Sequence, residues 1–190
     1  KWFGDWEKAY RIQKLKKSVP VRITGNEVTP SDDIAQYRKN ADAYAKALRG
    51  KYINKDTGDI IELTSSRKNG GIREILHHDY KNIEHLQSVA AIPSIIENSI
   101  YITSLPNEDS KIDADYIDYY SCGLKIANED YTVKSVVIRL KDGTRYYDHK
   151  LTNIEKGSLI DFINNKPDKT SNPISSESSE LPGLLSNNKD

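Results

Sequence analysis

The 190-residue chain has no methionine, a single cysteine and no net charge, with 28 basic residues set against 28 acidic ones. Each absence excludes something. Without a charge imbalance, any attraction to a polyanion has to come from a local patch rather than from the chain as a whole. Cys122 has no partner for an internal disulfide, and no Cys/His spacing suits structural zinc. The expectation is therefore a fold free of metal and cofactor in a reducing, cytoplasmic setting. No window approaches the roughly 18 apolar residues of a membrane span. The opening "KWFGDWEKAY" also lacks the apolar run of a signal peptide. The missing methionine, absent even at position 1, suggests a piece excised from or processed out of a longer protein.

What is present reads as one domain with appendages, since 36% hydrophobic residues suffice for a single core at this length. Residues 1–30 form an aromatic, basic lead-in with one short strand, Val19 to Thr24. Thr29 or Ser31 then caps a helix from Asp32 to Leu48, where Ile34, Ala41, Ala45 and Leu48 share a face and Gly50 is the stop. "KYINKDTGDIIELT" is a hairpin turning at Asp56-Thr57-Gly58. In "DYKNIEHLQSVAAIPSIIENS" the apolar residues recur at helical spacing, and Pro93 either kinks that helix or opens a second. Residues 99–150 are rich in Tyr, Val, Ile and Thr, with turns at Asn128-Glu129-Asp130 and Lys141-Asp142-Gly143. The fold class is α+β, helices packed on a mostly antiparallel sheet, over residues 31–162. Residues 163–190 have too little apolar surface to offset ordering and form a disordered tail or linker.

The side chains suited to chemistry fall in two places. "SSRKNGGIREILHH" gathers Arg67, Lys68 and Arg73 around Gly70-Gly71 and ends in His77 and His78. Its glycines let backbone amides approach a phosphate, although it matches neither a Walker loop nor a dinucleotide fingerprint. The bland alternative is a flexible basic loop. Adjacent histidines cannot face the same way in regular structure, so one of His77 and His78 faces a site and which one is open. His85, between Ile83 and Leu86, is read as a packing residue. In "TRYYDHK" the strand period puts Arg145, Tyr147 and His149 on one face, an anion- or base-stacking platform. Tyrosines can equally form the half-buried surface of a sheet. The acidic stretch "PNEDSKIDADYID" lacks the spacing of a calcium loop and is read as a solvated excursion. Cys122 is expected to fill a buried strand position.

The series "RGKYINKDTGDIIELTSSRKNGGIREILHH", "HLQSVAAIPSIIENSIYITS" and "YTVKSVVIRLKDGTRYYDHKL" resembles a large polyvalent protein-associated domain of phages and conjugative elements. That domain is similar to the barnase, EndoU, colicin and RelE superfamily of metal-independent ribonucleases. "WFGDW" resembles a peptide found ahead of toxin or polyvalent domains. The resemblance implies a barnase/RelE-like fold and RNA, tRNA included, as substrate. The further expectations are an immunity or partner protein, no membrane, and a monomer when isolated. The residues that match its pattern are Lys68, Arg73, His77, His78, Tyr131, Thr132, Tyr147 and His149. With the basic stretch and strand face read above, the expected catalytic residues are His77 or His78, Arg73, Tyr147 and His149, and the substrate-binding ones Arg67, Lys68, Tyr131, Thr132 and Arg145. Transesterification needs a base, an acid and cations for the charged transition state, which these residue types supply without metal. The site would require the histidines and Arg73 to converge within about 10 Å at an open surface. The rival readings are a non-catalytic binding or interaction module of the same fold and, less favoured, a nucleotide transferase on the same basic face.

Overall fold

The computed structural model describes residues 2–64 and 83–165. Helix α1 (Trp2–Lys17) leads into strand β1 (Val21–Ile23), and helix α2 (Ile34–Ala47) is followed by the hairpin β2 (Gly50–Ile53) and β3 (Ile60–Leu63). Helices α3 (Ile83–Ser88) and α4 (Ile92–Asn98) are joined by a 3-10 turn at Val89–Ala91. Strands β4 (Ile100–Pro106), β5 (Tyr116–Ile126), β6 (Glu129–Arg139) and β7 (Arg145–Lys156) follow, and α5 (Leu159–Asn164) closes the described chain.

Local chemistry accounts for most boundaries. The α2 cap is Asp33, two residues beyond Ser31 and four beyond Thr29, with its carboxylate accepting from the Ala35 amide. The Ser31 hydroxyl supports it by accepting from the Asp33 amide. Pro93 sits in the first turn of α4, where its missing N–H costs nothing, so it opens a second helix rather than kinking one. The Asp56-Thr57-Gly58 turn has Gly58 at φ +77°. In the β6–β7 turn the Asp142 carboxylate accepts from the Thr144 amide and Gly143 takes φ +86°. The β5–β6 turn lies earlier than expected. Ile126 pairs with Glu129, so Ala127 and Asn128 make the corner, and Ala127 takes φ 53° without being glycine.

Two helices were not anticipated. α1 occupies the lead-in, where only one of its side chains with described surroundings, Leu15, is buried, too thin an apolar stripe to announce a helix. α5 is a single short turn capped by Ser158, whose hydroxyl accepts from the Asp161 amide.

The strands form one mixed sheet in the order β1-β5-β6-β7-β3-β2, with β4 also pairing β5. β1 runs parallel to β5 and β3 parallel to β7, while β2–β3, β4–β5, β5–β6 and β6–β7 are antiparallel. The sheet curls until the β2–β3 turn meets β4 and the end of α4. The Asn54 side-chain amide donates to the carbonyls of Ile96 (2.7 Å) and Ser99 (2.8 Å). The Asp56 carboxylate accepts from the Tyr101 amide at 3.0 Å.

Both faces of the long strands are covered. On one, Tyr120, Cys122, Leu124, Val133, Val137 and Tyr147 pack against Tyr37, Ala41 and Ala45 of α2 and against Leu86, Val89, Ile92 and Ile95. On the other, Ile117, Val136 and Ile138 are met by Ile112 and Ala114. These last two belong to the stretch read as a solvated excursion. It is instead folded over the sheet, because the Asn107 side chain donates to the carbonyls of Asp109, Ile112 and Ala114. Asp118, counted among its acids, is a buried member of β5.

Candidate functional site

Arg67, Lys68, Arg73, His77 and His78 lie outside the described residues, so their convergence with the sheet is not part of the geometry that follows. The strand residues are all within it. β7 does put Tyr147 and His149 on one side, as a period of two requires, and their side chains touch. The Tyr147 hydroxyl stands 3.0 Å from His149 Nδ1.

Both side chains have 0% exposure. His149 Nε2 lies 3.4 Å from the Ser88 hydroxyl, which itself donates to the His85 carbonyl at 2.6 Å. With its proton committed there, Ser88 Oγ can only accept from His149. This puts the imidazole proton on Nε2 and makes Nδ1 the acceptor of the Tyr147 hydroxyl proton. Burial first, and then the adjacent His85, hold the His149 imidazole well below its ordinary pKa, so it is neutral. Burial likewise pushes the Tyr147 phenol up. An imidazole with no exposed surface does not meet a substrate at an open face, so His149 stands as a buried neutral side chain behind His85.

Sequence reasoning set His85 aside as a packing residue. It is half-buried at the start of α3, with its ring centroid 4.6 Å from that of His149 and the planes tilted by 37°. Of this pair it is the member that reaches solvent. Its only signal in the sequence is that it follows "HHDYKNIE", eight and seven residues beyond His77 and His78. The contact with a strand far along the chain leaves no local trace.

The remaining candidates are committed elsewhere. Tyr131 is buried, and burial pushes its phenol up, with Glu84 and Glu129 adding to the effect. Thr132 is buried with its hydroxyl donating to the Gly157 carbonyl at 3.0 Å. Arg145 lies 3.5 Å from both Asp59 and Asp118. Asp118 is also held by Arg139 at 3.0 Å and by the Ser104 hydroxyl, a network that satisfies charge inside the curl of the sheet rather than presenting it to a phosphate. Cys122 is fully buried and its thiol is pushed up to about 11, which makes it inert.

Among the described residues, no three His, Cys, Asp or Glu side chains converge as a metal site would require, and no helix is long and apolar enough to cross a membrane. No curated protein and no solved structure matches the chain. A family model does, that of large polyvalent protein-associated domain 3, over residues 32–147. That match spans α2 through the start of β7, more than half the chain, with His85 inside it and His149 two residues beyond its end. The chain therefore belongs to the large polyvalent protein-associated domain 3 family.

Proposed function

We propose that this domain is a metal-independent ribonuclease module of a larger polyvalent protein of phage type, and that its reacting histidine on the described surface is His85. The observation that carries the reading is the contact of half-buried His85 with neutral His149, at the head of the helix that follows "SSRKNGGIREILHHDYKN" directly. A neutral imidazole behind His85 orients it without competing for its proton, as a base backed by a fixed partner requires. In this reading His85 and one of His77 and His78 exchange protons while Arg67, Lys68 and Arg73 neutralise the phosphate. The base takes the 2′-hydroxyl proton, the 2′-oxygen attacks phosphorus, and the 5′-oxygen leaves with a proton from the acid. The products are a 2′,3′-cyclic phosphate and a 5′-hydroxyl.

The test is incubation of the whole chain with RNA and tRNA in EDTA, with product ends mapped. Cleavage should persist in EDTA and fall about 10²- to 10⁴-fold in His85→Ala, the usual cost of a lost acid or base. Melting should be nearly unchanged. RNA bound and left intact would overturn it. One observation favours a second reading, a non-catalytic binding module of the same fold: Tyr147, His149, Tyr131 and Thr132 are all buried, and Arg145 is already paired.

A further inference from the structure

We propose that the outward side of α1 is a docking surface for single-stranded nucleic acid. α1 is held to the body of the protein by one side. Leu15 is buried, and the Arg11 guanidinium donates to the Ile102 carbonyl and lies 4.8 Å from the Tyr101 ring centroid. The other side is left to solvent. Trp6 is 60% exposed and Tyr10 47%, one helical turn apart, with ring centroids 5.5 Å apart and planes within 3° of parallel. The Lys14 ammonium lies 4.9 Å from the Tyr10 centroid and is itself anchored to Asp56 at 2.6 Å. Trp6, Tyr10 and Lys14 thus form a column fixed to the β2–β3 turn.

Large exposed rings held parallel and preordered are what an unpaired base needs. It gains a π-face to stack on, and little ring freedom remains to be lost when it does. A duplex offers no such face, because its bases are already stacked on one another. The charge fits the same partner. Although the whole chain is neutral, the helix carries Lys8, Arg11, Lys14, Lys16 and Lys17 against Asp5 and Glu7. Arg11 pairs with Glu7 and Lys14 with Asp56. Lys8, Lys16 and Lys17 are exposed with no ion pair among the described residues. At 100° per residue Lys17 falls on the face of the stacked rings, about two turns beyond Tyr10, and Lys16 at its edge, while Lys8 falls on the opposite side. Rings followed by unpaired ammonium groups match a strand that alternates bases with phosphates. The surface shares a polyanion with the proposed reaction but uses other residues, so each stands or falls alone.

The chain has two tryptophans, Trp2 and Trp6, both in α1, so intrinsic fluorescence reports on this helix. The whole chain is titrated with an oligodeoxythymidylate of about 12 nucleotides, within the usual footprint of one stacking module. Such a strand lacks the 2′-hydroxyl and cannot be cleaved by the proposed chemistry. Saturable quenching is expected, with log affinity falling against log salt at a slope of about −1.4 for the two ammonium groups Lys16 and Lys17. A double Trp6→Ala, Tyr10→Ala variant should bind about tenfold or more weakly, followed by anisotropy of a labelled strand, with unaltered circular dichroism. Wild-type affinity in that variant overturns the proposal, as does absence of quenching. Quenching by phosphatidylserine vesicles but not by the oligonucleotide overturns it in favour of a membrane surface. Intact binding with no RNA cleavage supports this surface while refuting the ribonuclease reading.

Discussion

His149 makes the stability of the fold depend on pH in a calculable way. In the unfolded chain its imidazole takes up a proton near the ordinary pKa of about 6.5. In the folded chain, burial and the neighbouring His85 hold it well below that. Below about pH 6.5 the unfolded state therefore binds a proton that the folded state does not, and stability falls as pH falls. Above that pH the contribution is complete. One proton gives a limiting slope of about 1.36 kcal/mol per pH unit. Integrated from about pH 7.5 down to about pH 5.5, the loss is about 1.4 kcal/mol. The assay is urea denaturation across that window for the wild type and for His149→Gln, whose amide stays neutral. His77, His78, His85 and the carboxylates are common to both and cancel in the difference. A variant whose stability falls with pH as steeply as the wild type's would refute a buried neutral His149.

Two further substitutions test the scaffold. Asp118→Asn removes the charge shared by Arg139 and Arg145 and should cost about 3 kcal/mol, read as a lower urea midpoint at unchanged slope, the discount from a fully buried pair reflecting the partial exposure of both arginines. Ala127→Gly should raise the melting temperature, since glycine relieves the left-handed backbone at that corner by about 1–2 kcal/mol, more than its own entropic cost of about 0.5–1 kcal/mol.

The sequence reads well wherever structure is local. The β-branched and aromatic runs of residues 99–150 became β4 to β7, and the Gly58 and Gly143 turns lie where glycine is needed for positive φ. The Ala127 corner escaped notice because alanine carries no turn signature. Its conformation is imposed by the long β5–β6 ladder on either side. α1 escaped because a helix docked through Leu15, Arg11 and little else shows no apolar stripe. Near the candidate site, the period of two put Tyr147 and His149 together, but their burial depends on α3, the 3-10 turn at Val89–Ala91 and α2 closing over that face. That closure is a tertiary event no local pattern encodes. The same holds for His85, whose neighbour comes from the last strand, and for Asp118, whose acidic surroundings concealed two arginines approaching from β6 and β7.

The parallel pairing of β3 with β7, registered at Glu62 and Tyr146, governs the order in which the molecule can be completed. During synthesis α2 and the β2–β3 hairpin leave the ribosome early, yet Ile61 and Leu63, both buried in the finished core, gain their second neighbour strand only when β7 arrives. Until then the hairpin presents an open edge and an uncovered apolar face. Such a topology folds slowly, because a long loop must close before its contacts repay the entropy. The nascent hairpin is accordingly where a chaperone, or a second nascent chain, would compete with correct folding.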